Sequence, residues 1–352
     1  MYFLQNKKDF NLEREILNLS NLIEAGSNQP EIHFNLSLLL LLKGDFENGW
    51  YNYEYRMFCK DYNPPVPIRR FKQPLWRGED LKGKSIFIYE EQGIGDTFQF
   101  SRYILYLKQF FNVKNVIFGC RSKIVDIFHG EESGWQGAID KLLFPGDKFP
   151  IFDTYSSLLS LPYIFSKSSI NIPHKSPYLK AKKKLIDFYK IKIAELFSSD
   201  VYKVGICWQG NNKNINDVDR SITLNYFESL FGLENIKFFS LQKGFGEEQI
   251  RKFGYEELII DWSENLDFTN TAALIENLDL VITIDTSIAH LSGAMGKQTW
   301  VLLPLIPDFR WMLNSEDSFW YPSMKLYRQV KSNEWESVVY RLEKSLKSIS
   351  KN

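Results

Sequence analysis

The chain has 352 residues, enough for two or three domains of ordinary size. Its 43 basic and 43 acidic side chains give a formal net charge of zero, which excludes the basic excess of a typical nucleic-acid-binding protein. The three cysteines, Cys59, Cys120 and Cys207, are too few and too scattered for a disulfide framework or a zinc cluster. They favour a cytoplasmic location, with a peripheral position at the inner membrane face left open. The apolar run Leu36–Leu42 is too short to span a bilayer, so we expect no transmembrane segment.

The first part of the chain has the pattern of helices. Residues 11–26 predict one amphipathic helix. The next stretch fits the 34-residue pattern of a tetratricopeptide repeat, with predicted helices over Glu31–Leu42 and Phe46–Phe58. We therefore predict a short all-α tetratricopeptide-type segment over residues 1–67.

Three residues give this helical pair its predicted geometry. Gly44 supplies a positive φ at the turn, Gly49 lies where the two helices must approach closely, and Tyr53 fills the groove between them. Because one repeat cannot bury its own apolar face, the pair must pack on the rest of the chain. Binding of a protein partner and a purely structural cap are both open functions for this segment.

After a proline-rich linker at residues 63–67, strands and helices alternate, which predicts an α/β fold. We assign residues 68–178 to a first Rossmann-like domain. Its predicted elements are two strands, Ser85–Glu90 and Val116–Cys120, two helices, Thr97–Phe111 and Lys123–Phe128, and two weaker elements, Ala138–Phe144 and Leu158–Leu161.

A second alternating pattern predicts another Rossmann-like domain over residues 179–332, with Ser176–Asp200 as the bridge to it. Its predicted strands are Val201–Trp208, Ile236–Leu241, Leu280–Ile284 and Thr299–Leu303, and its predicted helices are Asn225–Phe231, Phe268–Glu276 and Ile288–Met295. A terminal helix over Glu334–Ile349 belongs to a last segment, 333–352. Two wound domains predict a ligand cleft between them, at the carboxyl ends of the strands.

The first candidate site is the turn Gly93–Asp96, between a predicted strand and a predicted helix. A dinucleotide motif is incomplete because Phe98 stands where the third glycine of GxGxxG would be. A carboxylate at a helix N-terminus repels a pyrophosphate, and the helix dipole stabilises Asp96 as an anion. Asp96 is therefore either a helix N-cap or a general base that accepts a proton from a hydroxyl nucleophile, and the spacing alone favours the cap.

The second candidate site follows the apolar strand Leu280–Ile284. There a helix of small residues begins, and its first amides, with the hydroxyls of Thr286 and Ser287, predict an anion site that suits a diphosphate. We expect Asp285 to cap this helix. His290 lies one turn further on and faces either the phosphates or the core.

Loops after two other strands of the second domain complete the predicted donor site. Trp208 ends the first of these strands, and Gln209, Gly210 and Asn211 follow it. Arg220 is a candidate bidentate phosphate donor, with a surface arginine as the alternative. Gln242 follows the next strand, and beside it Lys243 is a candidate second cation for a leaving diphosphate. The Asp-Val-Asp stretch 217–219 lies in a polar loop, which favours a turn over a metal site, and the four histidines have no zinc spacing. We predict no metal.

Ten sequence pieces in a fixed order give the chain a family resemblance from about residue 30 to 345. They are GDFENGWYNYEYR, PLWRGEDLKGK, EQGIGDTFQFSRY, FDTYSSLLSLP, PYLKA, GICWQGN, RSI, SLQKG, LDLVITIDTSIAHLSGAMGK and WYPSMKLYRQ. In these pieces the chain resembles bacterial tetratricopeptide-repeat proteins that carry a domain similar to glycosyltransferase family 9, the heptosyltransferase family.

The resemblance implies a GT-B fold of two Rossmann-like domains, in which residues 68–178 bind the acceptor and residues 179–332 bind the nucleotide sugar. It implies no metal and no cofactor besides a nucleotide-diphosphate sugar as co-substrate. The family's Gly-Asp motif matches Gly95 and Asp96, which implies Asp96 as the catalytic base. Its Asp-Thr-Gly diphosphate motif matches residues 285–287, where Ser287 replaces the glycine. The lysine that heptosyltransferases place after their first C-terminal strand has no clear match here, and Lys213, Arg220 and Lys243 are its candidate substitutes.

We therefore expect a glycosyltransferase that moves a sugar, with inversion, to a hydroxyl of a glycan, a lipid-linked intermediate or a protein. Two alternatives belong to other classes. One is a non-catalytic scaffold whose helical segment binds a peptide, and the other is a nucleotide-sugar epimerase. A dehydrogenase is the least expected, because the GxGxxG motif is broken.

Overall fold

The computed structural model describes residues 10–64, 71–130, 133–135, 137–144, 146–168, 176–197, 201–213 and 217–349. The chain forms two compact units. The first runs from Phe3 to Lys175 and also contains Asp308–Met312, and the second consists of Ser176–Pro307 and Leu313–Asn352. The predicted linker at 63–67 lies mostly outside the described residues, and the domain boundaries at 67, 178 and 332 stay predictions.

From residue 10, where the described part of the chain begins, the first unit has the α-helices α1 (Leu12–Glu24), α2 (Pro30–Lys43) and α3 (Phe46–Tyr53). Gly44 ends α2 with a φ of 93°, as its place in the turn predicted. A Cβ on Gly49 would lie 2.7 Å from Cδ2 of Leu41, so α2 and α3 approach each other closely. The helices lie where the sequence pattern placed them, but their tetratricopeptide type stays a prediction.

The second helix of this pair is shorter than predicted. After Tyr53 the chain tightens into a 3₁₀-helix over Glu54–Phe58. Arg56 donates a hydrogen bond of 3.1 Å to the Tyr53 carbonyl and so takes an acceptor that an α-helix would give to a backbone amide. A side chain thus ends α3 early.

In the α/β part of the first unit, the described residues form four strands and four helices. They are β1 (Ser85–Tyr89), α4 (Ile94–Ser101), α5 (Leu107–Phe111), β2 (Asn115–Gly119), α6 (Ser122–Phe128), β3 (Lys141–Leu143), β4 (Thr154–Ser157) and α7 (Leu161–Lys167). The strands are parallel in the order β3-β2-β1-β4. Since the order reverses between β1 and β4, the loops after these two strands flank the point where α/β sheets bind ligands.

The predicted helix Thr97–Phe111 is wrong at its start and in its middle. The structure starts α4 at Ile94 and ends it at Ser101, and a separate helix, α5, follows a 3₁₀-turn. At the break, the Ser101 hydroxyl donates to the carbonyl of Phe98 at 3.0 Å, and Arg102 Nε donates to the carbonyl of Gln99 at 2.9 Å. Both side chains compete with the helix for its own carbonyls.

The second unit holds a larger parallel sheet. Its strands are β5 (Tyr202–Cys207), β6 (Ile236–Ser240), β7 (Ile259–Ile260), β8 (Leu280–Ile284), β9 (Thr299–Leu303) and β10 (Met324–Arg328). Its helices are α8 (Lys183–Leu196), α9 (Asp217–Arg220), α10 (Glu228–Phe231), α11 (Glu248–Phe253), α12 (Phe268–Glu276), α13 (Ser287–Ala294) and α14 (Glu336–Ile349).

The strand order of this sheet is β10-β9-β8-β5-β6-β7, and the switch point lies between β5 and β8. Counted from the first strand of the unit, this is the 3-2-1-4-5-6 order of nucleotide-binding Rossmann folds. The centre of the sheet is apolar, since every residue of β8 is buried. The predicted α/β class with Rossmann-like sheets is confirmed.

Five described elements of the second unit were not predicted: the helices α8, α9 and α11 and the strands β7 and β10. The bridge Ser176–Asp200 contains the 14-residue helix α8, and the sheet gains two strands, β7 and β10. The turn expected at 217–219 is the start of the short helix α9. Within the described ranges, no helix has the length and apolar character needed to cross a bilayer.

Candidate functional site

The candidate anion site lies where β8 passes into α13. Thr286 has an extended backbone and accepts a hydrogen bond of 3.3 Å from the amide of Ile288, so Thr286 is the N-cap of α13. The prediction that Asp285 caps this helix is wrong by one residue. A threonine hydroxyl reaches the second helical amide when its own backbone is extended, whereas Asp285 lies one residue earlier, directly after β8. The N-terminal amides of α13 thus point out of the carboxyl edge of the sheet at the switch point.

Arg220 is held beside this helix start. Its Nη1 donates a hydrogen bond of 2.9 Å to the carbonyl of Asp285, and its Nε lies 3.2 Å from Oδ1 of Asp217. The side chain is 20% exposed, so the guanidinium also meets solvent. The structure therefore brings together the predicted cation and the predicted diphosphate loop, which are 65 residues apart in sequence.

Gly210 leaves the room that this arrangement needs. A Cβ at this position would lie 2.1 Å from Oδ1 of Asp217 and 2.7 Å from Nη2 of Arg220. Its amide donates to the Ser221 hydroxyl at 3.0 Å, which fixes the loop after β5 against the segment that carries Arg220. Gly210 is thus a packing requirement of the site.

His290 faces the interior of the second unit. Its ring is 5% exposed, and Nδ1 lies 3.0 Å from the hydroxyl of Tyr321. Nε2 lies 3.9 Å from Oδ1 of Asp285. The histidine therefore supports the strand end behind the anion site through Asp285.

Two of the predicted cleft residues have no side chain available to a ligand. Trp208 is fully buried in the apolar core of the second unit. The carboxamide of Gln242 accepts from the amides of Trp208 and Gln209 at 3.1 and 3.0 Å, and donates to the carbonyls of Gln209 and Phe245. The prediction that the side chains of Trp208 and Gln242 line the cleft is therefore wrong. The ring of Trp208 packs in the apolar core, and the carboxamide of Gln242 joins the loops after β5 and β6.

The remaining predicted donor residues lie further along the sheet edge. The amine of Lys243 donates to the carbonyl of Ser263, after β7, and β6 is separated from β8 by β5. Gln209 accepts a bond of 2.8 Å from Gln249, and the exposed Asn211 accepts from the amide of Lys213 at 3.0 Å. The cation that the structure places at Asp285 is Arg220.

Asp96 lies in the first turn of α4, three residues after its N-cap, Gly93. Its Oδ2 accepts a hydrogen bond of 2.7 Å from the amide of Gly93, which is one half of a capping box, because a glycine N-cap has no side chain to supply the other half. The Asp96 side chain is 15% exposed. Gly95, the other residue of the predicted Gly-Asp motif, precedes Asp96 in the same turn. Asp96 is therefore not the N-cap, although it satisfies one of the first amides of the helix.

Sequence reasoning missed the ion pair that Asp96 makes. Oδ1 of Asp96 accepts from Nη2 of Arg310, which belongs to the segment Asp308–Met312 of the same unit. Arg310 Nε donates to Oε1 of Gln99 at 2.8 Å, and Nη1 donates to Oδ1 of Asp308 at 2.6 Å. The available signal was an arginine between two aromatic residues, Phe309 and Trp311, in an otherwise unassigned stretch.

Burial and charge act on Asp96 in opposite directions. Burial raises the pKa of Asp96 above its usual value and is the larger effect. The Arg310 guanidinium and the Gly93 amide lower the pKa, while the carboxylates of Asp308 and Glu91 raise it. The result is a carboxylate that is more basic than an exposed aspartate, which is a property of general bases.

A second missed ion pair lies at the switch point of the first sheet. Arg56 donates Nε and Nη2 to the two carboxylate oxygens of Glu91, both at 2.8 Å, and Nη2 also reaches the Ser160 hydroxyl at 3.0 Å. Glu91 lies in the loop after β1. Ser157 is the last residue of β4, and its hydroxyl donates a hydrogen bond to Glu91. The helical segment thus contributes a buried arginine to the edge where the sheet order reverses.

Nothing in the described part of the chain groups three or more His, Cys, Asp or Glu side chains closely enough to hold a metal ion. Metal independence stays a prediction. The two candidate sites consist instead of helix N-termini, arginines and a carboxylate.

Comparison with known proteins gives one sequence relative and a set of similar folds. No family model matches the chain. The curated protein FlbA of Caulobacter vibrioides is 23% identical over 338 residues, which cover 91% of this chain and 55% of FlbA. The chain therefore spans about half the length of the curated relative it matches.

Two crystal structures resemble the fold. A glycosyl transferase family 9 protein from Veillonella parvula matches with a TM-score of 0.53 and 11% identity, covering 78% of this chain and 98% of the other. The ADP-heptose LPS heptosyltransferase II of E. coli matches with a TM-score of 0.53 and 9% identity, covering 75% and 98%. At these identities the likeness concerns the fold: a mixed α/β protein with parallel sheets, similar to the GT-B glycosyltransferases.

Proposed function

We propose that the chain is an inverting glycosyltransferase that moves a sugar from a nucleotide-diphosphate sugar to an acceptor hydroxyl. One observation carries the proposal. At the β5/β8 switch point, a Rossmann-ordered sheet presents the start of α13 with Arg220 donating to the carbonyl of Asp285. Helix N-termini at this place in the fold bind phosphates, and the fold resembles that of family 9 glycosyltransferases.

On the donor side, the second unit supplies positive potential for the diphosphate. The amides that open α13 carry the positive end of the helix dipole, and the guanidinium of Arg220 adds a full charge beside them. As the bond between the anomeric carbon and the diphosphate oxygen breaks, the leaving group keeps the electron pair. These donors stabilise that charge without a metal ion, which is part of the proposal.

On the acceptor side, the first unit supplies the base. The acceptor hydroxyl attacks the anomeric carbon from the face opposite the diphosphate, and its proton passes to the carboxylate of Asp96. One carbon–oxygen bond forms as another breaks, which inverts the configuration at that carbon. The raised pKa of Asp96 supports this role, since burial makes it the stronger base.

The first test is a calorimetric titration of the full chain with UDP, GDP, ADP, CMP and dTDP, in the presence of EDTA and again with added magnesium. We expect micromolar binding of one nucleotide without metal. The Arg220→Gln variant removes the charge beside Asp285 and should weaken binding at least tenfold, roughly the effect of one charged donor to a phosphate. The control is Arg251→Gln, since Arg251 is an exposed arginine on α11 of the same unit.

Two results would contradict the donor assignment. If no nucleotide binds with or without magnesium, the second unit is not a donor site. If one nucleotide binds equally well to the Arg220→Gln variant and to the control, the diphosphate does not lie at α13. Binding that requires magnesium would overturn the metal-independent form of the mechanism.

The acceptor in this proposal is a molecule with a free hydroxyl: a glycan, a lipid-linked intermediate or a protein side chain. We place the reaction in the cytoplasm or at the inner membrane face, and we include a protein partner for the helical segment. Incubating the protein with the labelled sugar nucleotide that matches its preferred base, and with each acceptor class in turn, separates the three. Label in the organic extract identifies a lipid-linked acceptor, label in oligosaccharide identifies a glycan, and label in protein identifies a protein side chain.

A further inference from the structure

The guanidinium of Arg310 is held from three sides within the first unit. Nη2 donates to Asp96, Nε donates to Gln99 at 2.8 Å, and Nη1 donates to Asp308 at 2.6 Å. Asp96 and Gln99 are one turn apart on the same face of α4, so the planar guanidinium of Arg310 contacts two successive turns of that helix. The arginine side chain is 9% exposed.

Two aromatic rings fix the plane of this guanidinium. Its central carbon lies 4.3 Å from the ring centroid of Phe309 and 5.6 Å from that of Phe100. Phe309 in turn packs edge-on against Trp50 of the helical segment, at 5.8 Å. The group that meets Asp96 is therefore itself immobilised by packing, as precise placement of a reacting group requires.

Both carboxylate oxygens of Asp96 are anchored, one by the amide of Gly93 and the other by Arg310. The hydrogen bond from the Gly93 amide alone fixes only Oδ2 and leaves the carboxylate free to turn about that bond. The second anchor sets the orientation in which the remaining lone pairs meet an acceptor hydroxyl. We propose that Arg310 is the positioning residue of Asp96, holding the carboxylate in the orientation that accepts the acceptor proton. This inference rests on the proposed function, since it requires a hydroxyl acceptor at Asp96.

The charges around Asp96 determine what the loss of Arg310 does. Asp308 from the same segment and Glu91 from the loop after β1 raise the pKa of Asp96, as does burial, and Tyr53 of α3 also lies in range of this group. Arg310 is the cation that lowers it. Without Arg310 the pKa of Asp96 rises further, so the acid limb of the rate profile, where the base becomes protonated, moves to higher pH.

The test compares Arg310→Gln, Arg310→Lys, Asp96→Asn and the Arg310→Gln/Asp96→Asn double variant in the full chain, measuring kcat, the donor KM and the pH dependence of transfer. We expect Arg310→Gln to lower kcat roughly 10²-fold, as a misplaced reacting group does, to leave the donor KM unchanged and to move the acid limb to higher pH. Arg310→Lys keeps the charge without the fork, so it should restore the acid limb but only part of kcat. In the Asp96→Asn background, removing Arg310 should cost no further activity.

The matched control is Arg77→Gln, which changes an exposed arginine of the first unit and should leave all three quantities unchanged. A fully active Arg310→Gln variant with an unmoved acid limb would overturn the positioning role while the proposed function stands. So would a loss that adds in full to that of Asp96→Asn. If Arg310→Gln does not fold, Arg310→Lys decides, because wild-type kcat in that variant would show that the fork is not needed. Absence of transfer by the wild-type protein with every donor would remove the function and the positioning role together.

Discussion

Arg56 is the residue that ties the helical segment to the first sheet. Its side chain is 2% exposed and its partners come from both strands that flank the switch point. Removing two such charges from water is costly, and the bidentate geometry together with the hydroxyls of Ser157 and Ser160 compensates for it. Removing only one charge of the Arg56–Glu91 pair should therefore lower the unfolding free energy far more than removing both charges.

Replacing Arg56 with methionine leaves the Glu91 carboxylate buried without its cation. We expect the unfolding free energy to fall by about 3–5 kcal/mol, with at least half of the loss recovered by a second change, Glu91→Leu, which removes the buried charge. Urea denaturation followed by tryptophan fluorescence measures both variants.

The control for this pair is Lys43→Met. Lys43 pairs with Glu13 at 2.8 Å, but the two side chains are 44% and 66% exposed, so its loss should cost less than about 1 kcal/mol. Equal effects of Arg56→Met and Lys43→Met would show that the Arg56–Glu91 contact adds nothing to stability.

For individual residues, the sequence predicts a functional site only where the residues that form it lie close together along the chain. The turn around Asp96 and the loop at 285–287 could be identified because a polar cluster follows an apolar strand. Arg56 and Glu91 are 35 residues apart, and Asp96 and Arg310 are 214 apart. No periodicity connects such residues, because their contact depends on how the whole unit folds.

At the scale of elements, the helical pair depends on one close approach. Leu41 of α2 fills the space that a side chain on Gly49 of α3 would take, with Cδ2 and Cγ both 2.7 Å from an ideal Cβ. The backbone of α2 also lies close, since the amide nitrogen of Leu41 is 3.2 Å away. This contact sets the distance between two helices that pack on the rest of the unit.

The Gly49→Ala variant should therefore overpack the helix pair, although alanine favours helix formation. We expect a loss of about 1–3 kcal/mol in unfolding free energy, relieved in part when Leu41→Ala is added. The control is Gly232→Ala, because a Cβ at Gly232 meets nothing within 4 Å and its φ of −85° suits any residue. A Gly49→Ala variant as stable as the Gly232→Ala variant would contradict the close approach.

Elements with strong apolar runs were predictable, and elements with polar composition were not. β1 and β8 stand out because both are apolar, short and bounded by turn residues. β4 reads Thr-Tyr-Ser-Ser and α8 is rich in lysine, so neither has the pattern of a buried element. Neighbouring strands bury β4, whereas α8 buries only Tyr189 and Ile193 and contacts α12 through Tyr189, and a local pattern does not reveal either arrangement.

At the scale of the whole molecule, the alternation of strands and helices was enough to predict two wound units, but not their strand order. The order places β5 beside β8 and β1 beside β4, and so decides which loops share a switch point. That pairing brings Arg220 to Asp285 and Arg56 to Glu91. The fold class therefore followed from the sequence, and the composition of each site required the structure.

The turnover of sugar transfer by the wild-type protein and by the Asp96→Asn variant, measured at saturating donor, decides whether Asp96 is the catalytic base. Because general-base catalysis contributes roughly 10²–10⁴-fold, we predict a fall in kcat of that size with unchanged nucleotide affinity by calorimetry. Full turnover by Asp96→Asn would show that Asp96 is not the base and that the acceptor proton leaves by another route.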